Sequence, residues 1–250
     1  YSIWLATVVV SGISYLSYLL KRYVFHESGT LVSGIIGGLY SSTATISVLA
    51  RKSRKASEQE ATDYVAAMLL AVSMMFLRFM ILILIFSREI FLSIYPYLLT
   101  MAVVAAIVAW FIHSRQKRPE DQPAETEEDD SSNPLEFKVA LIFAVLFVIF
   151  TFLTHYTLVY AGTGGLNLLS FVSGFSDITP FILNLLQNTG SVAVLVVTAC
   201  SMQAIISNIM VNMFYALFFA GKGSKLRPWI LGGFGVVIVC NLVLLLFFYI

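Results

Sequence analysis

Apolar runs about as long as a bilayer is thick recur from one end of the chain to the other. They cover residues 2–20, 31–50, 64–86, 90–112, 135–159, 167–187, 191–220 and 229–250. A helix needs about 20 consecutive apolar residues to cross the hydrocarbon core, so each run is a candidate membrane helix. Charges gather at the boundaries: Lys21-Arg22, the cluster Arg51, Lys52, Arg54 and Lys55, then Arg88-Glu89, then Lys222, Lys225 and Arg227. Two runs are apolar but interrupted. The run 31–50 contains Gly37-Gly38 followed by Ser41, Ser42, Thr43, Ala44 and Thr45; the run 167–187 contains Gly174, Asp177, Thr179 and Pro180. Lipid cannot satisfy exposed backbone groups, so a break there must be enclosed by protein or line a wet cavity.

Residues 114–134, SRQKRPEDQPAETEEDDSSNP, form the one long polar stretch and read as a solvated linker. The linker separates a first membrane repeat, residues 1–113, from a second, residues 135–250. Both show the same order of four segments. A shift of 136 residues places Gly29 on Gly165, Gly38 on Gly174 and Thr43 on Thr179. Beyond the loop 51–62 a shift of 130 is expected, which sets Asn208 on Arg78. Repeats of this kind are the usual build of secondary transporters, with the site at the repeat interface.

The basic residues discriminate between two topologies. If all eight segments span, they divide almost evenly between the two faces. If 31–50 and 167–187 enter the membrane and return, nearly all fall on one face and Arg88 alone on the other. The positive-inside rule favours the second arrangement. Twenty residues folded at the middle give two arms of roughly 15 Å, half a bilayer. The expected fold is therefore an all-α polytopic membrane protein of two inverted repeats, with six spanning helices plus two re-entrant broken segments. The competing reading of 31–50 is a kinked spanning helix packed through Gly34-x-x-x-Gly38. The expected location is the bacterial inner (plasma) membrane, multi-pass, with the linker in the cytoplasm.

Composition agrees with this class. The chain is 59% hydrophobic and 12% charged, against about 25% charged in soluble domains. Its net charge of +1 gives no sign of nucleic-acid binding. Cys200 and Cys240 lie in apolar runs without metal-ligand spacing and read as free thiols. The start at Tyr1 rather than Met points to a missing upstream region. With no nucleophile elbow, P-loop or HExxH present, the chain is not expected to be an enzyme.

Candidate chemistry concentrates at the two breaks. Thr179 before Pro180 reads as a helix N-cap with proline in the first helical position, and register makes Thr43 the matching cap. Gly37, Gly38, Gly174 and Pro180 are the helix-breaking positions. Each tip then offers hydroxyls (Ser41, Ser42, Thr43, Thr45 and Thr179), a partly positive helix N-terminus and partly negative carbonyls, a mixture able to bind either sign of ion. Asp177 is the one acid placed deep in the membrane, as cation ligand, proton carrier or helix cap. Arg78 is its natural counter-charge, with structural pairing to Asp177 or to free carbonyls as the alternative to substrate contact. Thr198, Ser201, Asn208, Asn212 and Tyr215 share one helix face, which glues neighbours or lines a pathway. His155 reads as an interfacial packing residue.

YSIWLATVVVSGIS at the start, SGIIGGLYSSTATISVLARKS, NPLEFKVALIFAVLF and SGFSDI together resemble a bacterial integral-membrane domain of unknown function. That family commonly follows an MgtC/SapB-type module linked to magnesium homeostasis. The resemblance implies an ion-transport role by association and an upstream MgtC/SapB-like partner. The family tends to carry a second acid where this chain has Thr179 and a lysine near Asn212, so an internal ion pair is missing here.

The expected function is a membrane transporter or channel for a small inorganic ion, foremost a divalent metal cation. Ser41, Ser42, Thr43, Thr45, Asp177 and Thr179 would form the midplane site, Asn208 and Asn212 would line the path, and Arg78 would balance charge. Asp177 is the expected metal ligand, and a bound metal ion the only cofactor considered. The alternatives are an anion or lipid-phosphate carrier using helix N-termini and Arg78, and a non-transporting regulatory or scaffolding module. Expected partners are the lipid bilayer and the ion, with room for a homo-oligomer.

Overall fold

The computed structural model describes residues 8–13, 15, 19, 29–54, 56, 58–115, 137–175, 177–187, 193–221 and 224–249. The first apolar run and the linker 114–134 lie mostly outside these residues. The described elements are α1 Thr30–Lys52, α2 Glu58–Phe86, α3 Arg88–Ser114, α4 Phe137–Ser173, α5 Ile178–Gln187, α6 Val194–Ala220 and α7 Arg227–Tyr249, with residues 8–13 helical ahead of them. Helices close all their backbone hydrogen bonds within the segment, the condition for lying in lipid. Six helical segments, all but α5, are long and apolar enough to cross a bilayer. The chain is an all-helical, multi-pass membrane protein.

Two of those six are not continuous. α1 breaks at Ser41, which holds extended backbone angles of φ −157° and ψ 109°. α4 breaks at Gly162, whose φ of +58° lies in the left-handed region that glycine enters without strain. Each arm of α1 is then about eleven residues, roughly 16 Å of helix.

The chain reverses direction at Ser41. A Cβ built on Gly37 would stand 2.8 Å from Cγ2 of Thr45, although eight residues of straight helix would separate the two by roughly 12 Å. The incoming arm also runs parallel to α2, Gly34 lying on Ala67 and Gly38 on Ala71. A Cβ on Gly38 would come 2.5 Å from Cα of Ala71. A straight α1 would run antiparallel to the helix that follows it, so the parallel pairing requires a hairpin. Glycine permits this approach because backbone meets backbone with no side chain between.

The second half repeats the arrangement. After Gly162 the arm 163–173 lies along α6 in the same sense. Cys200 Sγ donates to Asn167 Oδ1 at 3.4 Å, Ser207 Oγ to the Phe171 carbonyl at 2.7 Å, and Asn208 Nδ2 to the Gly174 carbonyl at 3.2 Å. One shift of 136 carries the start of α2, Glu58, onto the start of α6, Val194. It also carries the contact of Gly38 with Ala71 onto that of Gly174 with Ser207. The expected change to a shift of 130 is therefore corrected, and Arg78 falls opposite Phe214. The apolar pattern misplaced the register because α2 begins with a polar turn and a half, Glu58 to Asp63, ahead of its apolar run.

α2 and α6 point in opposite directions. Arg54, four residues before α2, donates through Nε to the Phe219 carbonyl and through Nη2 to the Phe218 carbonyl at 3.3 Å, both at the end of α6. At the other end, Thr198 near the start of α6 donates to Ser93 near the start of α3, 3.5 Å away. One end of the bundle thus collects Arg51, Lys52, Arg54, Arg115, Lys225 and Arg227, with His113 paired to Asp63 at 2.7 Å. Arg88 lies at the other. Between them, α3 joins α7 by a buried hydrogen bond from the Tyr97 hydroxyl to Asn241, and Ser73 ties α2 to the Ala102 carbonyl of α3 at 2.8 Å.

Candidate functional site

The break in α1, the turn before α5 and the middles of α2 and α6 enclose a cavity of about 380 Å³. From α1 come Gly38, Ser41, Ser42, Thr43, Ala44 and Ser47; from the second tip, Phe175, Asp177, Ile178 and Thr179. α2 contributes Met75, Arg78 and Phe79, and α6 contributes Asn208, Val211 and Tyr215. Seven of the nine residues expected at the site are thereby brought together from both halves of the chain. Thr45 and Asn212 are not among them. Thr45 faces Gly37 across the hairpin. Asn212 is buried within α6 and donates to Asn208 Oδ1 at 3.1 Å, its own Oδ1 having no partner.

The first helix restart differs from expectation by two residues, and at the second it is the helix-cap alternative for Asp177 that the geometry shows. Ser41, not Thr43, caps the outgoing arm of α1: its Oγ accepts from Ala44 N at 3.3 Å, satisfying one of the N–H groups a helix start leaves open. Asp177, not Thr179, plays the same part for α5, accepting from Thr179 N at 2.9 Å. Pro180 is accordingly the third helical residue rather than the first. It is still within the first turn, where its missing N–H would have had no acceptor in the helix. Ser41 and Asp177 are equivalent under the shift of 136, and both residue types are strong caps.

The ends of the incoming arms are occupied by side chains from α2 and α6. Arg78, 8% exposed, donates through Nη1 to the Tyr40 carbonyl at 2.7 Å and through Nη2 to Thr179 Oγ1 at 3.4 Å. One guanidinium therefore links the two tips, while its Nε has no partner. Asn208 holds the Gly174 carbonyl as described. Neither Tyr40 nor Gly174 lines the cavity, whereas the first turns of both outgoing arms do. Of the remaining polar stripe on α6, Thr198 bonds Ser93 and Ser201 bonds its own helix at Val197. Only Asn208 and Tyr215 of that stripe reach the cavity. His155 is exposed and makes an edge contact with Tyr156.

The pairing of Arg78 with a free carbonyl, one of the alternatives held for it, is found at Tyr40; sequence reasoning missed Ser47 and the apolar wall of Met75, Phe79 and Val211. Ser47 lies six residues after Ser41 on an arm whose direction the sequence does not show. Asp177 is the one carboxylate in the lining. Among the described residues no three His, Cys, Asp or Glu side chains converge.

Such an architecture defines a class, a helical membrane protein with two broken segments meeting at a polar cavity. Within that class the chain belongs to the family described as "Domain of unknown function (DUF4010)", whose model matches residues 8–220. It is similar to an uncharacterized protein of Aquifex aeolicus (strain VF5), 25% identical over 227 residues that cover 88% of this chain and 96% of the relative. No solved structure matches.

Proposed function

We propose that this chain translocates a small inorganic ion through the cavity between two re-entrant hairpins, each the centre of one of two inverted repeats. The observation that carries the reading is the reversal of α1 at Ser41, which delivers its tip to the same cavity as the tip before α5. Arms of about eleven residues reach roughly half-way across a 30 Å core, so both tips would sit near the midplane. The antiparallel course of α2 and α6 supports the inversion. The six crossings would be the first apolar run, α2, α3, α4 up to residue 161, α6 and α7. Arg51, Lys52, Arg54, Arg115, Lys225 and Arg227 at one end would make that end cytoplasmic. An upstream MgtC/SapB-like module, the partner implied by resemblance, would dock there.

Translocation needs a place where an ion exchanges water for protein dipoles without being held too tightly to leave. Ser41, Ser42, Thr43, Thr179 and Asn208 supply neutral oxygens and N–H groups, and the charges of Arg78 and Asp177 oppose one another. Alternating access would follow from rocking one tip against the other, with the Arg78 bridge from Tyr40 to Thr179 broken and remade. The cation expectation rests on Asp177 with these hydroxyls. A single carboxylate suits a monovalent cation better than a divalent one, which draws several charged oxygens around it.

Reconstitution into liposomes tests the reading. Ion flux above protein-free vesicles is expected, and a thiol reagent on Ser42→Cys should block it. Flux that persists after full modification of Ser42→Cys would remove the cavity from the path. Ion flux and selectivity unchanged in Asp177→Asn would remove Asp177 from the mechanism.

A further inference from the structure

The lining of the cavity is unbalanced in a way that selects among ions. We infer that the ion held between the tips is a small monovalent anion of the halide or nitrate kind, bound by Arg78 and the first turns of the two outgoing arms. This inference rests on the translocation reading above and names its substrate class.

Two helix starts face one cavity. Ser42, Thr43 and Ala44 open one helix, and Ile178 and Thr179 open the other; all five line the space. In each first turn one N–H is spent on the cap, Ala44 N on Ser41 and Thr179 N on Asp177. The other N–H groups of a first turn have no acceptor in their own helix: those of Ser42 and Thr43 in the outgoing arm of α1, and in α5 that of Ile178, since Pro180 has none. The last carbonyls of the incoming arms are engaged by side chains, Tyr40 by Arg78 and Gly174 by Asn208, and neither of these two residues lines the cavity, although Gly38 and Phe175 beside them do.

The second observation is independent of the helices. Arg78 is more than nine-tenths buried, lines the cavity and leaves its Nε without a partner. Its Nη2 reaches Thr179 only at 3.4 Å, a long bond that an incoming anion can replace. The carboxylate of Asp177 faces the same space and offsets the guanidinium charge. The two ionised side chains cancel, and each helix start adds up to about half a positive charge, against carbonyl ends that are largely engaged by Arg78 and Asn208, so the lining sums to a positive value. One monovalent anion counters that sum; a cation adds to it. The hydroxyls of Ser42 and Thr43 can turn their protons towards an anion, as hydroxyl rotors allow. A space of about 380 Å³ holds a small anion together with part of its water shell.

The test uses the purified full chain in liposomes, with chloride and nitrate as anion probes and potassium and magnesium as cation probes. Saturable chloride or nitrate flux is expected, with no potassium or magnesium flux beyond the leak of protein-free vesicles. Arg78→Lys should weaken anion affinity about tenfold, and Arg78→Met should abolish saturation. The selectivity of the unsubstituted protein decides the matter even if both variants fail to fold. Cation flux without anion flux would overturn the anion assignment and leave the translocation reading standing. No flux of any of the four ions would overturn both.

Discussion

Replacing Gly38 with alanine tests the hairpin itself. The added methyl would lie 2.5 Å from Cα, 2.7 Å from the carbonyl oxygen and 3.0 Å from the carbonyl carbon of Ala71. All three are backbone atoms of a packed helix, so nothing can swing aside. Carbon atoms prefer roughly 3.5–4.0 Å, so the arm must retreat from α2 by about 1 Å along the whole contact, Gly34 on Ala67 included. Overpacking of this kind costs about 1–3 kcal/mol. Alanine gains about 1 kcal/mol over glycine in helix propensity, leaving a net loss of about 0–2 kcal/mol. The control is Gly232→Ala in α7, where a Cβ meets nothing within 4 Å and only the propensity gain applies. Thermal unfolding in detergent, followed by tryptophan fluorescence, should place Gly38→Ala several degrees below Gly232→Ala. Ala71→Gly should not rescue Gly38→Ala, because the clash is with the Ala71 backbone rather than its methyl. Equal melting temperatures for the two alanine variants, or rescue by Ala71→Gly, would refute the backbone contact and with it the fold-back at Ser41.

Other expectations follow from the same geometry. Cysteines at Gly29 and Ala56, which flank α1, should be labelled by an impermeant thiol reagent from one face of the membrane, and a cysteine at Ser87 from the other; labelling of the first two from opposite faces would leave α1 a spanning helix. Asp177→Asn keeps a strong N-cap and should leave stability within about 0.5 kcal/mol, whereas Asp177→Ala and Ser41→Ala should each cost about 1 kcal/mol, read as melting temperatures. Tyr97→Phe strands the side-chain oxygen of buried Asn241 and should cost about 1–3 kcal/mol in the same assay.

Much of this fold is readable from the chain because a bilayer admits few solutions. Apolar length marks the helices, and the distribution of Lys and Arg is what favours the re-entrant reading proposed for the two broken segments. The second break was legible at Gly174, just past the helix end at Ser173, whereas the first falls at Ser41 and the expected breakers Gly37 and Gly38 are themselves helical, serving close packing on Thr45 and Ala71 instead. What failed was finer. Thr43 and Thr179 look like caps because one of them precedes a proline, yet Ser41 and Asp177 fill the role, and proline is as well tolerated in the third helical position as in the first. Thr45 and Asn212 have the right chemistry and depth but the wrong azimuth, which depends on how a 3.6-residue period meets its neighbours. That Arg78 pairs with a free carbonyl at the helix break was legible; which carbonyl, that of Tyr40, was not, because side-chain identity does not mark a backbone group.

The corrected register exposes a separation between scaffold and chemistry. Under the shift of 136 the scaffold is symmetric: caps Ser41 and Asp177, close approaches at Gly38 and Gly174, helix starts Glu58 and Val194. The residues that close the incoming arms do not obey it. Arg78 would pair with Phe214, which is exposed towards lipid, while Asn208 corresponds to Val72, a residue of the core. Yet Arg78 and Asn208 do the same work, each holding the last carbonyls of its own hairpin. A long side chain seven residues beyond Ala71 and a short one next to Ser207 reach equivalent groups from different depths. The long one extends further, to Thr179 of the opposite tip. A duplicated scaffold with two identical short closures would have held the tips alike and given neither any reach across the interface. The one positive side chain in the lining is thus also hydrogen-bonded to both tips, so an ion that binds Arg78 must compete with the bond joining them. On the translocation reading proposed above, occupancy and movement would then be coupled through a single residue, an arrangement a static scaffold has no use for.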